Sequence, residues 1–361
     1  MLGVIGRIPL FWSFRKFGWP KSSPENLTLT LSTRCNSHCK TCNIWKKQEN
    51  ELSLREWELI LISFIHPPYW VTISGGEPFL HKDIVTFSKL VYDYWHPGIL
   101  NIPSNAILCD IPEKVEQITS YCSKSQLIIN LSLDGIGTHH DEIRGVPGNF
   151  EKFEKTLKQL LLIRDRYSNL SIGIHSVISV FNINDLDAIK NYARSSGADQ
   201  FITEIAEQRV ELDTVGLMIT PQAKEYGEAI QQLIHAPKIN DRNQISVISR
   251  SFREKYYQIA HQALIKKRQI IPCFAGCASA QIYSDGAVWP CCVRADSLGN
   301  LRENDYNFPR IWMNDKAGEV RMSIKNKQCF CPLANATYSS MIYNIPTLFQ
   351  IAYRIIIELF K

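Results

Sequence analysis

No stretch of this 361-residue chain reaches the ~18 uninterrupted apolar residues that a membrane-spanning helix needs. The sequence therefore predicts no such span. The first 20 residues are apolar, aromatic and basic, but Arg7 and Pro9 interrupt them and no small-residue cleavage pattern follows, which argues against a secretory signal. A lopsided charge is missing as well: 40 Lys and Arg stand against 35 Asp and Glu, a net +5, with the two signs interleaved. Without a basic stripe there is no electrostatic footprint for nucleic acid, and no nucleic-acid partner is expected. What is left is an ordinary globular composition, 45% apolar, sufficient for one large domain and a smaller one.

Cysteine is the residue in surplus. Of eleven, nine fall into two clusters, at 35–42 and 273–331. Clustered thiols argue for metal binding in a reducing compartment, hence a cytoplasmic location, rather than for secreted disulfides. Cys109 and Cys122 stand alone and read as small buried hydrophobes.

The first cluster is Cys35-Asn36-Ser37-His38-Cys39-Lys40-Thr41-Cys42, a C-x3-C-x2-C spacing just after an apolar, alternating segment. Three thiolates on one short loop can hold three corners of a cubane iron–sulfur cluster, leaving the fourth iron without a protein ligand. An open metal position marks a reactive site rather than a structural one. A zinc site is the alternative, but His38 sits inside the loop, where it closes a tetrahedron awkwardly.

This spacing resembles the signature loop of the radical S-adenosylmethionine (SAM) enzymes. The resemblance implies a 4Fe–4S cluster whose open iron chelates the amino and carboxylate groups of SAM. One electron, from a donor such as flavodoxin or ferredoxin, then splits the sulfonium–C5′ bond. The resulting 5′-deoxyadenosyl radical abstracts hydrogen from an unactivated C–H bond, while the protein orients the partners and excludes water.

Strand-like and helix-like patterns alternate from residue 26 to about 206. Strands are predicted at 26–31, 70–74, 99–103, 127–133, 170–180 and 200–205. Helices are predicted at 53–64, opened by a Ser53–Glu56 capping box, and at 82–95, 112–121, 150–167 and 185–194. Helical crossovers imply an α/β fold with a parallel sheet, and six units fall short of a closed eightfold barrel. The family resemblance implies a partial, open (β/α)6 TIM-like barrel with its site at the C-terminal ends of the strands. The expected segments are an apolar, basic stretch at 1–25, the barrel at 26–206 and a helical connection at 207–271. A small C-terminal iron–sulfur domain at 272–335 and an apolar helix at 336–361 complete the chain.

Each further motif falls at a strand end. Ser74-Gly75-Gly76-Glu77-Pro78 carries two glycines that permit close backbone approach to a ligand, and Pro78 biases Glu77 to an extended conformation. It resembles the family's Gly-Gly-Glu-Pro motif, which implies that Glu77 accepts the methionine ammonium. A plain tight turn is the alternative. Ser104-Asn105-Ala106 resembles a Thr-Asn-Gly segment, with Ala in place of Gly, and Asn105 could equally cap a turn. On the fourth strand Ser132 and Asp134 share a face, the inside of a barrel. They resemble the family's Ser-Leu-Asp-Gly strand, which implies contacts to ribose hydroxyls and the methionine end, although Asp134 could also be a helix cap. His140-Asp141-Glu142-Ile143-Arg144-Gly145 resembles a His-Asp-x-x-Arg-Gly segment, which implies that Arg144 meets the SAM carboxylate. A surface ion pair is the alternative. One departure stands out: the family's aromatic residue before the third cysteine is Thr41 here, and Trp45 is the nearest substitute.

In the second cluster, Cys273-x12-Gly286-x4-Cys291 resembles the opening of the SPASM and Twitch extensions, which hold auxiliary 4Fe–4S clusters. Tyr283 to Pro290 reads as a hairpin with an Asp-Gly turn. Only Cys329 and Cys331 follow residue 300, so one auxiliary cluster is expected, held by Cys273, Cys277, Cys291 and Cys331, with Cys329 and Cys292 as alternates. A structural zinc site or a cluster with an open iron remain alternatives at this point.

About 25 residues precede the first strand, too few for the winged-helix leader-binding domain of many peptide-modifying relatives. The expected substrate is a small molecule, a lipid or a glycan precursor. A peptide substrate is the second reading, and a non-catalytic metal-binding protein the third. Both termini mix aromatic or aliphatic residues with Arg and Lys, which suits peripheral contact with the inner face of a membrane. Mutual burial, or covering of the open barrel, is the alternative.

Overall fold

The computed structural model describes residues 6–235 and 244–359. Residues 1–5, 236–243 and 360–361 lie outside it, among them Phe360 and Lys361 of the terminal run. Helix α1 (Ile8–Phe17) leads into six strands, β1 (Asn26–Ser32), β2 (Trp70–Gly75), β3 (Ile99–Ser104), β4 (Gln126–Ser132), β5 (Leu170–Ile178) and β6 (Gln200–Ile205). Each is parallel to the next. Parallel neighbours require a crossover. The crossovers are α2 (Leu54–Ile62), α3 (Ile84–Trp95), α4 (Ile111–Tyr121), the pair α5 (Thr138–Arg144) and α6 (Asn149–Arg164), and α7 (Leu186–Ser195). The result is a partial TIM-like barrel.

Strand alternation decides which face is which. Leu29, Ile73, Ile102, Ile129 and Ile174 are fully buried and meet Trp57, Phe87 and Phe153 of the helices in one core. The opposite face is polar. Asn130 Nδ2 donates to Asn101 Oδ1 at 2.8 Å, and Asn101 Nδ2 to Thr72 Oγ1 at 3.4 Å, a ladder across three strands. Closed eight-stranded barrels fill this space with branched aliphatic layers. Here the lumen is lined with amides and hydroxyls.

After β6 come α8 (Ala223–His235) and α9 (Gln244–Lys266), then β7 (Ser279–Ile282), β8 (Ala287–Trp289) and β9 (Gly299–Asn300). β7 pairs parallel with β1 on its free edge, and β8 and β9 follow antiparallel. Among the described residues the sheet therefore has nine strands, in the order β6-β5-β4-β3-β2-β1-β7-β8-β9. The β7–β8 turn closes through Gly286 N–H to Tyr283 O at 3.0 Å and Tyr283 N–H to Ala287 O at 2.8 Å, with Gly286 at φ +93°. This is a three-residue loop with a glycine bulge, the form that follows a type I turn.

The C-terminal part holds α10 (Phe308–Trp312), α11 (Asp315–Lys325), α12 (Ala334–Tyr343) and α13 (Ile345–Leu359). The apolar stretch expected as one helix is two, because Asn344 Oδ1 accepts from Thr347 N and Oγ1 at 3.1 and 2.7 Å and starts a new helix. The Ser53–Glu56 capping box is formed. The same Glu56 carboxylate accepts from Arg302 Nε at 2.6 Å and Tyr306 Oη at 3.0 Å, tying α2 to the segment after β9. Cys122 is buried as expected, but Cys109 is exposed, at the surface just before α4. α1 buries Ile8, Phe11 and Phe14 against Phe274 and Tyr343, and Leu348 of α13 packs on the same cluster. No helix among the described residues is long and apolar enough to cross a membrane.

Candidate active site

The loop after β1 carries Cys35, Cys39 and Cys42 and is fastened from several sides. His38 N–H donates to Arg144 O and Lys40 N–H to Ile143 O, both at 2.9 Å, so the C-terminal turn of α5 holds the loop's middle. Glu77 N–H donates to Arg34 O at 2.8 Å and holds its start. Two glycines make these approaches feasible. A Cβ on Gly76 would overlap the carbonyl oxygen of Arg34, and one on Gly145, at φ +67°, would press on that of His38. Gly75 and Gly76, expected to bring backbone close to a ligand, also let the chain pass close against the start of the cysteine loop. Their closest neighbours are the backbone atoms of Ser32, Thr33 and Arg34.

Burial pushes the Cys35 thiol up to about 11 and Cys42 to about 12, and raises Cys39 as well. Cys35 also feels the charge of Cys39, and Cys42 that of both. Two features oppose the rise: Ser37 N–H donates to Cys35 Sγ at 3.4 Å, and Arg144 lies close enough to act on all three. Burial alone would lower the Arg144 guanidinium, but Cys39, Asp134 and Cys35 reverse this and hold it above its ordinary value.

The remaining motif residues gather around this loop in unequal roles. Glu77 is buried and accepts from Phe79 N at 3.1 Å, Ser104 Oγ at 3.0 Å and Asn105 N at 2.7 Å. Burial still lifts it to about 6. Asn105 turns its side chain to the cysteine loop, donating to Asn36 Oδ1 at 2.7 Å and Ser37 Oγ at 3.0 Å. Ala106 takes φ +63°, which explains why glycine suits that position. Asp134 does not open into the lumen with Ser132. Its Oδ2 accepts from Arg144 Nη1 at 2.9 Å and its Oδ1 from Val177 N at 2.9 Å, so it positions Arg144. Ser132 stays on the inner face, in register with His175. His140 Nδ1 accepts from Asp134 N at 3.1 Å.

The donor set fits a cluster with SAM. Three thiols share one loop beside a guanidinium, and two buried donors nearby, Arg144 Nε and Trp45 Nε1, have no partner. Trp45 packs on His38 with ring centroids 4.3 Å apart. Among the described residues no three Cys, His, Asp or Glu side chains close on a single-ion position. A cubane carries its thiolates on separate irons and asks for a wider set.

In the second cluster, Cys273, Cys291, Cys292, Cys329 and Cys331 pack together with Ala275 and Leu333; Cys291 feels the charge of Cys273, and Cys331 that of both. Cys277 neighbours Cys273 but is carried to the α1 side by a turn in which Cys277 and Ala278 N–H donate to Phe274 O at 3.0 and 2.8 Å. Cys292 is buried, with Arg209 and Glu211 as its main charged neighbours.

Sequence reading missed the acidic wall after β6. His175, Glu204, Glu207, Arg209 and Glu211 carry no motif spacing. Arg209 Nη2 lies 3.0 Å from Glu207 and 3.6 Å from Glu204, and His175 Nε2 lies 3.4 Å from Glu204. Against the rise that burial causes, His175 and Arg209 pull Glu204 below its ordinary value. Burial dominates at Glu207 and lifts it to about 7, and its Oε2 has no partner. The segment joins both cysteine clusters: Asn43 N–H donates to Leu212 O at 2.9 Å, and Glu211 N–H to Cys292 O at 3.3 Å.

Residues 273–332 match the SPASM family, an iron–sulfur cluster-binding domain. A probable GTP 3′,8-cyclase of Sulfurisphaera tokodaii is 25% identical over 312 residues, 84% of this chain and 93% of that protein. The sporulation killing factor maturation protein SkfB of Bacillus subtilis is 23% identical over 313 residues, 85% of this chain and 69% of that protein. The crystal structure of Streptococcus suis SuiB bound to S-adenosylmethionine superposes with a TM-score of 0.59 at 19% identity, covering 83% of this chain and 68% of that one, which shows a shared fold.

Proposed function

We propose that the chain, a radical SAM enzyme with a SPASM iron–sulfur domain, takes a hydrogen atom from the polar part of a small molecule or glycan precursor held in the barrel lumen. The carrying observation is the juxtaposition of the Cys35/Cys39/Cys42 loop, Glu77 and Arg144 with a lumen lined by Thr72, Asn101, Asn130 and the His175–Glu204–Glu207–Arg209 group. When bound, the cluster and SAM supply a 5′-deoxyadenosyl radical able to attack an unactivated C–H bond.

The chain's own residues do the rest. Cys35, Cys39 and Cys42 hold the cluster, and Arg144 offsets its charge. The Glu77 carboxylate receives the methionine ammonium in a site already dry. Arg144, fixed by Asp134, offers its free Nε to the carboxylate. Cys273, Cys291, Cys329 and Cys331 hold the auxiliary cluster. Glu207 Oε2, buried and unpartnered, accepts a donor on the substrate, such as a hydroxyl or an amine. A fully apolar substrate would leave that wall unsatisfied, which is why the polar reading is preferred. The second reading, a peptide substrate, is supported by the name of the Bacillus subtilis relative.

The test is 5′-deoxyadenosine formation by anaerobically reconstituted protein with SAM and a strong reductant, against a Cys35/Cys39/Cys42→Ala variant. Product in the parent alone supports radical generation. Stimulation by sugar nucleotides or lipid-linked glycans supports the polar small-molecule reading. Stimulation by peptide fractions alone overturns it.

A further inference from the structure

A cavity of about 130 Å³ opens at the surface between α1 and α11. Its lining carries Arg15, Lys16, Lys21, Arg321 and Lys325, no carboxylate, and on its inner side Cys273 and Cys277. All but Lys16 are held in place by backbone carbonyls, and no ion pair with a carboxylate is formed by these cations among the described residues. Arg15 Nε donates to Cys273 O at 2.7 Å, Lys21 Nζ to Met313 O at 2.8 Å, and Lys325 Nζ to Lys16 O at 2.6 Å. Arg321 donates from Nε to Gly276 O and from Nη2 to Trp312 O, both at 2.5 Å, while its Nη1 is buried with no partner. A buried, charged donor without an acceptor is costly, and an anion in the cavity would relieve it.

Arg15 and Arg321 act on Cys273 and Cys277 and so also offset thiolate charge. That purpose does not explain the rim. Phe17 is 67% exposed and Trp19 74%, and Lys16 Nζ lies 4.5 Å from the Trp12 ring and 5.1 Å from that of Phe17. Leu348, at the start of α13, packs on the aromatic cluster that α1 also covers, and α13 exposes Phe349, Tyr353 and Ile356 at helical spacing. Exposed aromatic rings interleaved with lysine and arginine match the water–bilayer interface, where the rings sit among headgroups and the cations meet phosphate.

We propose that this end of the molecule docks on an anionic phospholipid surface, with a headgroup phosphate seated in the α1–α11 cavity against Arg321 and Arg15. The inference stands apart from the substrate assignment, since none of the residues on which it rests lines the lumen.

The test is flotation of the full-length, cluster-loaded protein with vesicles of phosphatidylcholine alone or mixed with phosphatidylglycerol, at low and high salt. The expected result is flotation with the mixed vesicles only, weakened by salt. Lys16→Glu/Lys21→Glu should lower vesicle affinity by about 25-fold or more, at roughly fivefold for each cation near the surface. Phe17→Ser/Trp19→Ser should do likewise. Both pairs alter exposed residues, and unchanged iron content and melting temperature would show an intact fold. Equal flotation on both vesicle types, or none, overturns the proposal. So does binding of inorganic or glycerol phosphate without flotation, which makes the cavity a free-anion site. Capture of an acidic flavodoxin by the parent but not by the lysine variant, again without flotation, makes it a protein interface and overturns the bilayer reading.

Discussion

Arg144 donates to Asp134 across 2.9 Å in a nearly dry setting, and its own carbonyl receives the His38 N–H of the cysteine loop. One residue thus ties the loop, the fourth strand's end and a buried charge together. Arg144→Ala should destabilise the protein by about 3–5 kcal/mol, because it strands the Asp134 carboxylate. Arg144→Lys keeps the charge but not the fork, and should fold while binding SAM at least about tenfold more weakly. Urea unfolding and equilibrium dialysis read the two effects separately. Full SAM affinity in the lysine variant would refute the assigned use of Nε.

Glu77 offers a cleaner separation of charge from shape. Glu77→Gln keeps the volume but sets an amide N–H₂ against the donors at Ser104 and Phe79 or at Asn105. A loss of about 1–3 kcal/mol in stability is expected from that conflict. SAM affinity should fall by roughly ten- to a hundredfold as a charge-assisted contact is lost. Calorimetry of SAM binding checks this, with Asp134→Asn as a comparison that should act through Arg144.

His140 predicts a pH effect of definite sign. Burial lowers its imidazole to about 4, and Arg144 adds to the shift. The unfolded chain, near 6.5, binds the proton more readily, so this histidine's contribution is complete above pH 6.5 and is lost as pH falls towards about 4. The shift corresponds to roughly 3 kcal/mol. Stability curves at pH 7 and pH 4.5 for parent and His140→Gln should diverge, with the parent losing more on acidification. Parallel curves would contradict the assignment.

The auxiliary thiols can be told apart by iron counting. Cys329→Ser and Cys331→Ser should each lower reconstituted iron from about eight to about four per chain, while Cys292→Ala leaves it unchanged. Cys277→Ser should also retain it. Loss of iron in Cys277→Ser with retention in Cys329→Ser would restore the ligand set expected from sequence.

Much of this was readable from spacing. The six strands and their crossovers follow from alternation such as Leu27-Thr28-Leu29-Thr30-Leu31, because a buried outer face and a polar inner face leave a period of two. Ser53 and Glu56 announced a helix start that is formed. The misses have physical causes too. Asp134 shares a strand pattern with Ser132, but periodicity says nothing of Arg144, ten residues on, which claims its carboxylate. The wall of Glu204, Glu207 and Arg209 depends on three-dimensional closure between the strand end and a loop, so no local pattern marks it. Cys277 sits at a spacing that suits a ligand, and what spacing does not give is the turn after Phe274 that packs it towards α1.

β7 enters the sheet beside β1, with Asn26 opposite Ser279 and Leu29 opposite Ile282. The strand that launches the SAM loop and the strand that follows Cys277 are therefore neighbours in one hydrogen-bonded ladder. The C-terminal part is not an interchangeable cassette. Exchanging 273–332 for the matching stretch of a relative would replace an inner member of the sheet, together with the partner of the strand beneath the first cluster. Such chimeras should fail as wholes rather than lose one centre and keep the other, and lineages carrying this architecture would be expected to transmit the two halves together.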